Sequence, residues 1–423
     1  MDCILWSLEL SIYYLSRPHI YEISDKRLTN STNIIILFIT METSKEDFVK
    51  TSELEPWNIS EDKFPFEGSY HDKLKFFLNY AILAPSSHNT QPWLFKIIGD
   101  NNTIELHADR TRALPVVDPD DRELIISCGA ALFHLLLAVK HFGFTYKLEI
   151  FPSPKEGEEQ RDYDYYSSDL LAQVKLLEGK SEPSGEENIL FQSITKRRTN
   201  RSKFEDREIP DSLISRLQKT TSAASELVAT TTATNILSSS SVIWIHVARQ
   251  VDEKNTIADL VAEGDRIQMS DRRFRRELAS WMHPNRSHSK DGMPGYAFGF
   301  SDIMSLLGPF AIRTFDLGKG QAAKDRELAT GSPILAIIGT KYEGPFDWLA
   351  TGVVLSKMLL LARSEDVWSS FLNQPIEVSG LRNMRNKLAE SINEEGFPQI
   401  LMRMGYSQQI KPTPRRTVNE VVH

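Results

Sequence analysis

Ala84-Pro85-Ser86-Ser87-His88-Asn89-Thr90-Gln91-Pro92-Trp93 (APSSHNTQPW) sets two prolines around hydroxyl and amide side chains. Upstream, Leu74, Phe77, Leu78 and Ala81 repeat at helical spacing, and Ser69-x-x-Asp72 supplies a start signal. Pro85 ends that helix because its ring clashes with the preceding turn and it has no N–H to give. Downstream, Trp93, Phe95 and Ile97 alternate as in a strand. Gly99-Asp100-Asn101-Asn102 then turns the chain, and Thr103–Ala108 returns as the second arm of a hairpin. The turn between helix and hairpin has two readings. Pro, Ser and Asn are ordinary loop punctuation. The same groups also make a cradle, since N–H groups, hydroxyls and two amides can meet a flat polar heterocycle at close range.

Farther along, Asp118-Pro119 opens a helix that is apolar nearly all round from Leu124 to Val139 and ends at Gly143. Ser127, Gly129 and His134 interrupt it, and its charged flanks leave it short of the about 18–20 apolar residues of a membrane span. A helix buried on all sides is expected. Residues 153–188, rich in Glu, Ser, Gly and Pro, read as a long exposed connection. A second half begins near Ile189. It carries a helix through Ser212–Lys219, a strand through Val242–Val247 and a charged helical stretch from Asp252 to Ser280. A Gly-rich segment (Asp291–Gly308), a strand through Pro333–Gly339 and an apolar helix from Trp348 to Ala362 follow. Setting Gly129 beside Gly352 aligns GAALFHLLLAV with GVVLSKMLLLA, with leucines coinciding at 132/355, 136/359 and 137/360. Leucine-rich helices match easily, so this points to duplication only in company with other signs.

Composition bounds the function. Of 423 residues, 41% are hydrophobic and 25% charged, as in ordinary globular chains. A formal charge of −8 argues against a general nucleic-acid footprint. Cys3 and Cys128 are the only cysteines, which gives no disulfide framework and fits a reducing cytoplasm. The ten histidines show no metal-ligand spacing, and the pair His283 and His288 sits in a polar segment where solvated side chains are expected. Neither a P-loop, a G-x-G-x-x-G nor a G-x-S-x-G elbow is present. Ser86 and Ser87 beside His88 do not make a hydrolase, because adjacent residues rarely present a nucleophile and its base to one substrate. Residues 1–20 are apolar but open on an acidic charge without a cleavage site, a poor signal peptide, and Ile34–Ile39 is too short to span a bilayer. Met41 reads as an alternative start, with residues 1–40 expected to be dispensable.

Lys196-Arg197-Arg198-Thr199-Asn200-Arg201 places Arg197, Thr199 and Arg201 at alternating positions. In an extended stretch these point the same way, and two guanidinium forks around a hydroxyl suit a phosphate. A solvated basic linker is the plain alternative. Arg415-Arg416, behind Pro412-Thr413-Pro414, alone reads as a solvated tail.

Together these segments resemble the nitroreductase superfamily of FMN proteins, and within it the long, dormancy-associated Acg family of actinobacteria. The likeness rests on APSSHNTQPW, the block Ala108–Leu132 (ADRTRALPVVDPDDRELIISCGAAL), KRRTNRSKF (Lys196–Phe204) and FDWLATG (Phe346–Gly352). It continues through FLNQPIE (Phe371–Glu377), FPQILMRMGY (Phe397–Tyr406) and PTPRRTV (Pro412–Val418), in consistent order over roughly residues 70–423. Ordinary members are homodimers with each FMN at the subunit interface. One subunit gives an R-x-S-x-R/K phosphate motif and the other a P-S-S-x-N loop. Here the first half has the Pro-Ser loop but EDKFPFEGSYHD where the basic motif belongs. The second half has Arg197-x-Thr199-x-Arg201, but Thr220–Asn235 contains neither proline nor N-x-Q-P-W.

The resemblance therefore implies an α+β, nitroreductase-like fold whose two halves are fused as an intramolecular pseudo-dimer, each with a mainly antiparallel sheet and helices. The expected divisions are an N-terminal extension (1–68), a first half (69–188) and a second half (189–423). Carried over by position, Arg197, Thr199 and Arg201 hold the FMN phosphate, with Arg415 or Arg416 assisting. Pro85, Ser86, Ser87, Asn89 and Gln91 border the flavin, and the backbone at Asn373 and Gln374 meets its N5. Ser364-Glu365-Asp366 departs from the family's Gly-Leu in the turn before that contact. The implied activity is ping-pong reduction, with NAD(P)H as reductant and a nitro or quinone compound as the small-molecule acceptor. No residue then acts as a dedicated acid or base, and no nucleic acid, membrane or second chain is required. The alternative is an FMN-storage protein sealed by a lid. Residues 291–329, with glycines at 292, 295, 299 and 308, are the candidate cover. Ile303, Met304, Leu306, Leu307, Phe310 and Ile312 are its expected buried face.

Overall fold

A computed structural model describes residues 52–152, 169–230, 242–377, 382–392 and 394–423. The expectations for residues 1–40, and residues 153–168 of the presumed connection, lie outside these. The first helix, α1 (Tyr70–Ala81), starts as its sequence signals: the Ser69 hydroxyl accepts from Asp72 N–H, and the Asp72 carboxylate accepts from Ser69 N–H. Strands β1 (Trp93–Ile98) and β2 (Thr103–Ala108) form the hairpin, paired antiparallel from Trp93–Ala108 to Ile98–Thr103. Helix α2 (Arg122–His141) and strands β3 (Thr145–Ile150) and β4 (Leu170–Leu177) complete the first half.

The second half opens with α3 (Gly185–Ile194), which runs across the expected division at 188/189, then α4 (Asp211–Gln218), α5 (Ser222–Thr230) and β5 (Ile243–Ala248). The charged stretch is two helices, α6 (Val251–Ser270) and α7 (Arg272–Ser280). Asp271 breaks it, leaving helical angles to cap α7 through Arg273 N–H at 2.7 Å. Short strands β6 (Met282–His283) and β7 (Met293–Pro294) precede α8 (Asp302–Thr314) and α9 (Gly318–Thr330). Then come β8 (Ile334–Thr340), α10 (Pro345–Ser364), β9 (Trp368–Phe371), α11 (Arg382–Ser391), β10 (Phe397–Gly405) and α12 (Val418–Val421).

The two main sheets run β1-β2-β4-β3 and β5-β8-β10-β9, all antiparallel. In each, the strands lie in the order first, second, fourth, third, and a 20-residue helix links second to third. Those two helices, α2 and α10, pack on each other in one core. Both are long and apolar enough to cross a membrane by composition, yet 83% and 89% of their apolar windows are buried within the protein, as expected of core helices. They cross at the two aligned glycines. A Cβ on Gly129 would lie 2.1 Å from the Leu349 carbonyl oxygen, and one on Gly352 would lie 2.0 Å from that of Ile126.

Two expectations are corrected. Within the presumed exposed connection 153–188, β4 fills the space between β2 and β3. Leu171, Ala172, Val174 and Leu176 are buried there, and the surrounding Glu, Ser and Pro had hidden their pattern. The segment 291–329 is mostly two helices, and the apolar side chains of α8 do not pack inward. Leu306 is 64% exposed, Leu307 57% and Phe310 59%, with Ile303 and Met304 also exposed. Only Ile312 of that set joins a buried cluster. Ser305 and Gly308 take the inner face of α8, so its large residues are turned to solvent.

Because both clashes are with main chain, Gly129→Ala or Gly352→Ala must push the helices apart. Each is expected to cost about 1–3 kcal/mol, read as a lowered Tm. Gly185→Ala, with nothing within 4 Å of its Cβ, is the control that stays near wild type.

Candidate functional site

The turn Ala84–Trp93 is strained. His88, Asn89 and Gln91 all have positive φ (48°, 56° and 53°), a region that L-residues seldom occupy. The surroundings hold them there. Asn89 Nδ2 donates to the carbonyls of Gly292 (2.9 Å) and Pro414 (3.1 Å), and its Oδ1 accepts from Arg415. Gln91 is fully buried. Its amide donates to the Lys290 carbonyl at 2.8 Å and accepts from Arg416 N–H at 2.8 Å. The Pro-Ser turn of the first half is thereby fastened to the C-terminal segment and to residues 290–292 of the second.

In front of this turn lies a cavity of about 860 Å³. Of the residues singled out from sequence, Pro85, Ser86 and Asn89 line it from one half. Arg197, Thr199, Arg201, Asn373, Gln374 and Arg415 line it from the other. Three do not. Ser87 turns back to the Glu123 carboxylate. Gln91 is occupied as above, and Arg416 reaches the Gln91 and Glu420 carbonyls from behind the turn.

The strongest electrostatic feature is a set of guanidinium groups without counter-ions. Arg197, Arg198, Arg201, Arg403 and Arg415 line the cavity, and none is ion-paired among the described residues. Burial drives their pKa values down, to about 10 for Arg197, Arg201 and Arg403 and about 9 for Arg198. Arg415 is pushed down too, by burial and then by the neighbouring Arg197 and Arg198. Among the described residues, the Nε atoms of Arg197, Arg403 and Arg415 find no acceptor. What partners exist are uncharged: Arg197 donates to Leu83 O at 3.1 Å, Arg415 to Thr413 Oγ1 at 3.0 Å, and Arg198 and Arg415 lie over Trp57 at 3.6 and 4.9 Å. Buried cations left so are costly, and an anion is the natural complement.

Two functional residues were missed in the sequence. Trp57 lies ahead of the first half, and only its place beneath two arginines marks it. Glu123 follows Arg122 at the start of α2 and is 3% exposed. Its carboxylate accepts from Ser87, from Arg122 at 2.8 Å and from Asn373 Nδ2 at 3.3 Å. Asn373 Oδ1 in turn accepts from Leu401 N–H at 2.9 Å. One buried carboxylate thus ties the Pro-Ser turn to the Asn373 side chain. Nearby, Glu377 is held by Gln268 at 2.7 Å, and burial raises its pKa well above the usual range.

If the free guanidinium groups await an oxyanion, millimolar inorganic phosphate or pyrophosphate should raise the Tm of ligand-free protein. The shift should be largely lost in Arg197→Gln/Arg415→Gln. An equal rise in that variant would show that the ion acts elsewhere.

No family model matches the chain. Curated relatives do. It is 27% identical over 350 residues to the "Putative NAD(P)H nitroreductase Rv3131" of Mycobacterium tuberculosis strain H37Rv, covering 82% of this chain and 89% of that one. It is 24% identical over 359 residues to the "Putative NAD(P)H nitroreductase acg" of the same strain, covering 83% and 96%. It is 22% identical over 374 residues to the "Probable NAD(P)H nitroreductase PigM" of Serratia sp. strain ATCC 39006, covering 84% and 94%. Among solved structures, an FMN and NADPH-dependent nitroreductase NfnB from sphigopyxis sp. strain HMH aligns at 17% identity. Its TM-score is 0.35, over 55% of this chain and 97% of that one. Iodotyrosine deiodinase bound to FMN aligns at 12% identity with TM-score 0.34, over 54% and 94%. Along 82–84% of its length the chain is similar to proteins named as NAD(P)H nitroreductases, Acg among them.

Proposed function

We propose that the chain binds one FMN in this cavity and, with NAD(P)H as reductant, reduces a small electron-poor nitro or quinone compound. The observation that carries this reading is the arginine set without counter-ions, facing the Pro-Ser turn from the other half of the chain. Arg197, Thr199 and Arg201, with Arg415, would hold the phosphate; charge-assisted forks suit a dianion better than any neutral group. Pro85, Ser86 and Asn89 would border the ring system, and the backbone of Asn373 and Gln374 would meet its reacting edge. FMN supplies a reversible two-electron hydride carrier, and the protein's share is to orient it and exclude water. Glu123 holds the two bordering segments in register. Gln91 and Arg416 act one layer back, by fixing the turn.

The same strand order in both sheets, and the helices meeting at the aligned glycines, support descent from a fused dimer of two halves, 69–188 and 189–423. With one Pro-Ser turn and one arginine run, such a fusion keeps one site and needs no second chain to complete it. The storage reading draws on residues 291–300, since Met293, Tyr296 and Phe298 line the cavity. The outward apolar face of α8 adds no seal, so turnover is favoured over storage.

Flavin released by heat should amount to about one FMN per chain; a value near two would sink the single composite site. Arg197→Ala/Arg201→Ala should bind FMN at least about a hundredfold more weakly with its fold intact, since two charge-assisted bonds of roughly 1.5–3 kcal/mol are lost. Retention of yellow colour through dialysis would place the phosphate elsewhere.

A further inference from the structure

One wall of the cavity holds two carboxyl groups that the reading above leaves unused. Helix α6 contributes Asp265 and helix α9 contributes Asp325, with exposures of only 4% and 8%. Both lie within reach of a single side-chain amide. Gln374 bridges them: its Nε2 donates to Asp265 Oδ1 at 3.2 Å and to Asp325 Oδ2 at 2.9 Å. Gln321 gives Asp325 Oδ2 a second donor at 2.8 Å. Among the described residues, Asp265 Oδ2 receives no donor and Gln374 Oε1 accepts none, although both are buried.

The charges facing the pair do not force both groups to ionise. Arg266 on α6, Lys324 on α9, Arg403 on β10 and Arg201 all favour carboxylates. Burial outweighs them at both residues. At Asp265 the second cause is Asp325 itself, and its pKa is raised to about 8. Two carboxylates this close in a desolvated wall share one proton at neutral pH. The bridging residue is Gln374, whose backbone would border the reacting edge of the flavin in the proposed function.

We propose that the Asp265–Asp325 pair is the proton donor in the reduction of the acceptor. This rests on the FMN reading, because it concerns that reaction. Bound and reduced, FMN would supply hydride, which is two electrons and one hydrogen, so the acceptor would stay one proton short. A quinone taking hydride and one proton becomes the hydroquinone. A nitro compound taking hydride and one proton loses water and becomes the nitroso compound. In both, the O–H bond of the pair breaks, a new O–H bond forms on the acceptor oxygen, and the pair is left with two negative charges. That state is unfavourable at this burial, so the pair recovers a proton from water in the cavity. Asp265, which lines the cavity, is the member that meets the acceptor, and Asp325 raises its proton affinity.

The test uses the full chain with Asp265→Asn and, separately, Asp325→Asn. A readout without flavin comes first. A carboxyl that titrates higher folded than unfolded costs stability progressively as pH rises from the unfolded value of 3.8 towards about 8, and by a constant amount above it. In FMN-free protein the Tm of Asp265→Asn should therefore gain on wild type between about pH 5 and pH 8 and then level off. In loaded protein, reoxidation by a quinone should slow by about a hundredfold, while reduction of the flavin by NADPH stays within about twofold. The wild-type reoxidation rate should fall as pH rises through about 8, where the donor proton is lost, and both variants should lack that limb. A Tm difference that ignores pH, or reoxidation as fast and as pH-dependent as wild type, overturns the proposal. A chain that holds no FMN removes the functional reading, and the donor's role with it. The stability profile would still report whether the proton is shared, so the two failures are distinguishable.

Discussion

The backbone contact between Gly129 and Gly352 is the constraint on which the rest of the structure depends. Carbonyls of Leu349 and Ile126 occupy the space where side chains would begin, so α2 and α10 meet main chain to main chain. Each helix carries its own sheet's second-to-third connection, and the crossing therefore fixes the two halves relative to each other. What it fixes matters at the helix ends. Arg122 and Glu123 stand at the first turn of α2, and α10 feeds β9 and then Asn373 and Gln374. Close approach at the crossing lets one carboxylate, Glu123, reach both Ser87 and Asn373. Residues bulkier than glycine there would draw those partners apart, some distance from the altered atoms.

A second constraint is the strain in the Pro-Ser turn. Three residues out of four, His88, Asn89 and Gln91, lie in the left-handed region at a cost of order 1–3 kcal/mol each, and such geometry persists only where the surroundings over-determine it. Asn89 and Gln91 supply that determination: between them they bond to residues 290–292 and to 414–416. Buried hydrogen bonds of about 0.5–1.5 kcal/mol apiece offset the strain only as a set. The C-terminal segment thus serves the site twice, since Arg415 both clamps Asn89 and joins the free arginines. Arg415 and Arg416, adjacent in sequence, divide these tasks: the first faces the cavity and the second braces the turn.

Much of this was legible in the sequence, and the reasons it was legible differ. Helix 70–81, the hairpin and the two core helices announce themselves through periodicity and capping residues, which are local. The alignment of Gly129 with Gly352 was a weak signal that the contact itself makes meaningful. The complementarity of APSSHNTQPW and KRRTNR needed a family resemblance, because nothing local brings residues 84–93 near 196–201. Strand β4 was missed because its short alternation sits among Glu, Ser and Pro. The outward apolar face of α8 was misread, since hydrophobic residues at helical spacing say that one face differs from the other, not which face is buried. Glu123 and the pair Asp265 and Asp325 lie in charged runs that resemble solvated helix surface. Only three-dimensional placement separates a buried carboxylate from an exposed one.

The cavity's two unusual features share one physical origin. Burial lowers the proton affinity of Arg197, Arg201 and Arg403 and raises that of Asp265 and Asp325, because it penalises whichever form is charged. Positive and negative groups line the same chamber, and coulombic influence does pass between Asp325 and both Arg201 and Arg403. Yet they do not collapse into ion pairs. Rings and carbonyls hold the guanidinium groups in place: Phe298 under Arg201 at 4.8 Å, and Phe204 under Arg403 at 4.2 Å with the Ser202 carbonyl at 3.0 Å. Gln374 and Gln321 hold the carboxyl groups. Each set is satisfied just enough to stay put and too little to be neutralised. An anion that binds the arginines would relieve their desolvation, and its charge would hold the carboxyl proton more firmly still. Occupancy of one end of the chamber would then set the proton affinity of the other, through nothing more than Coulomb's law at low dielectric.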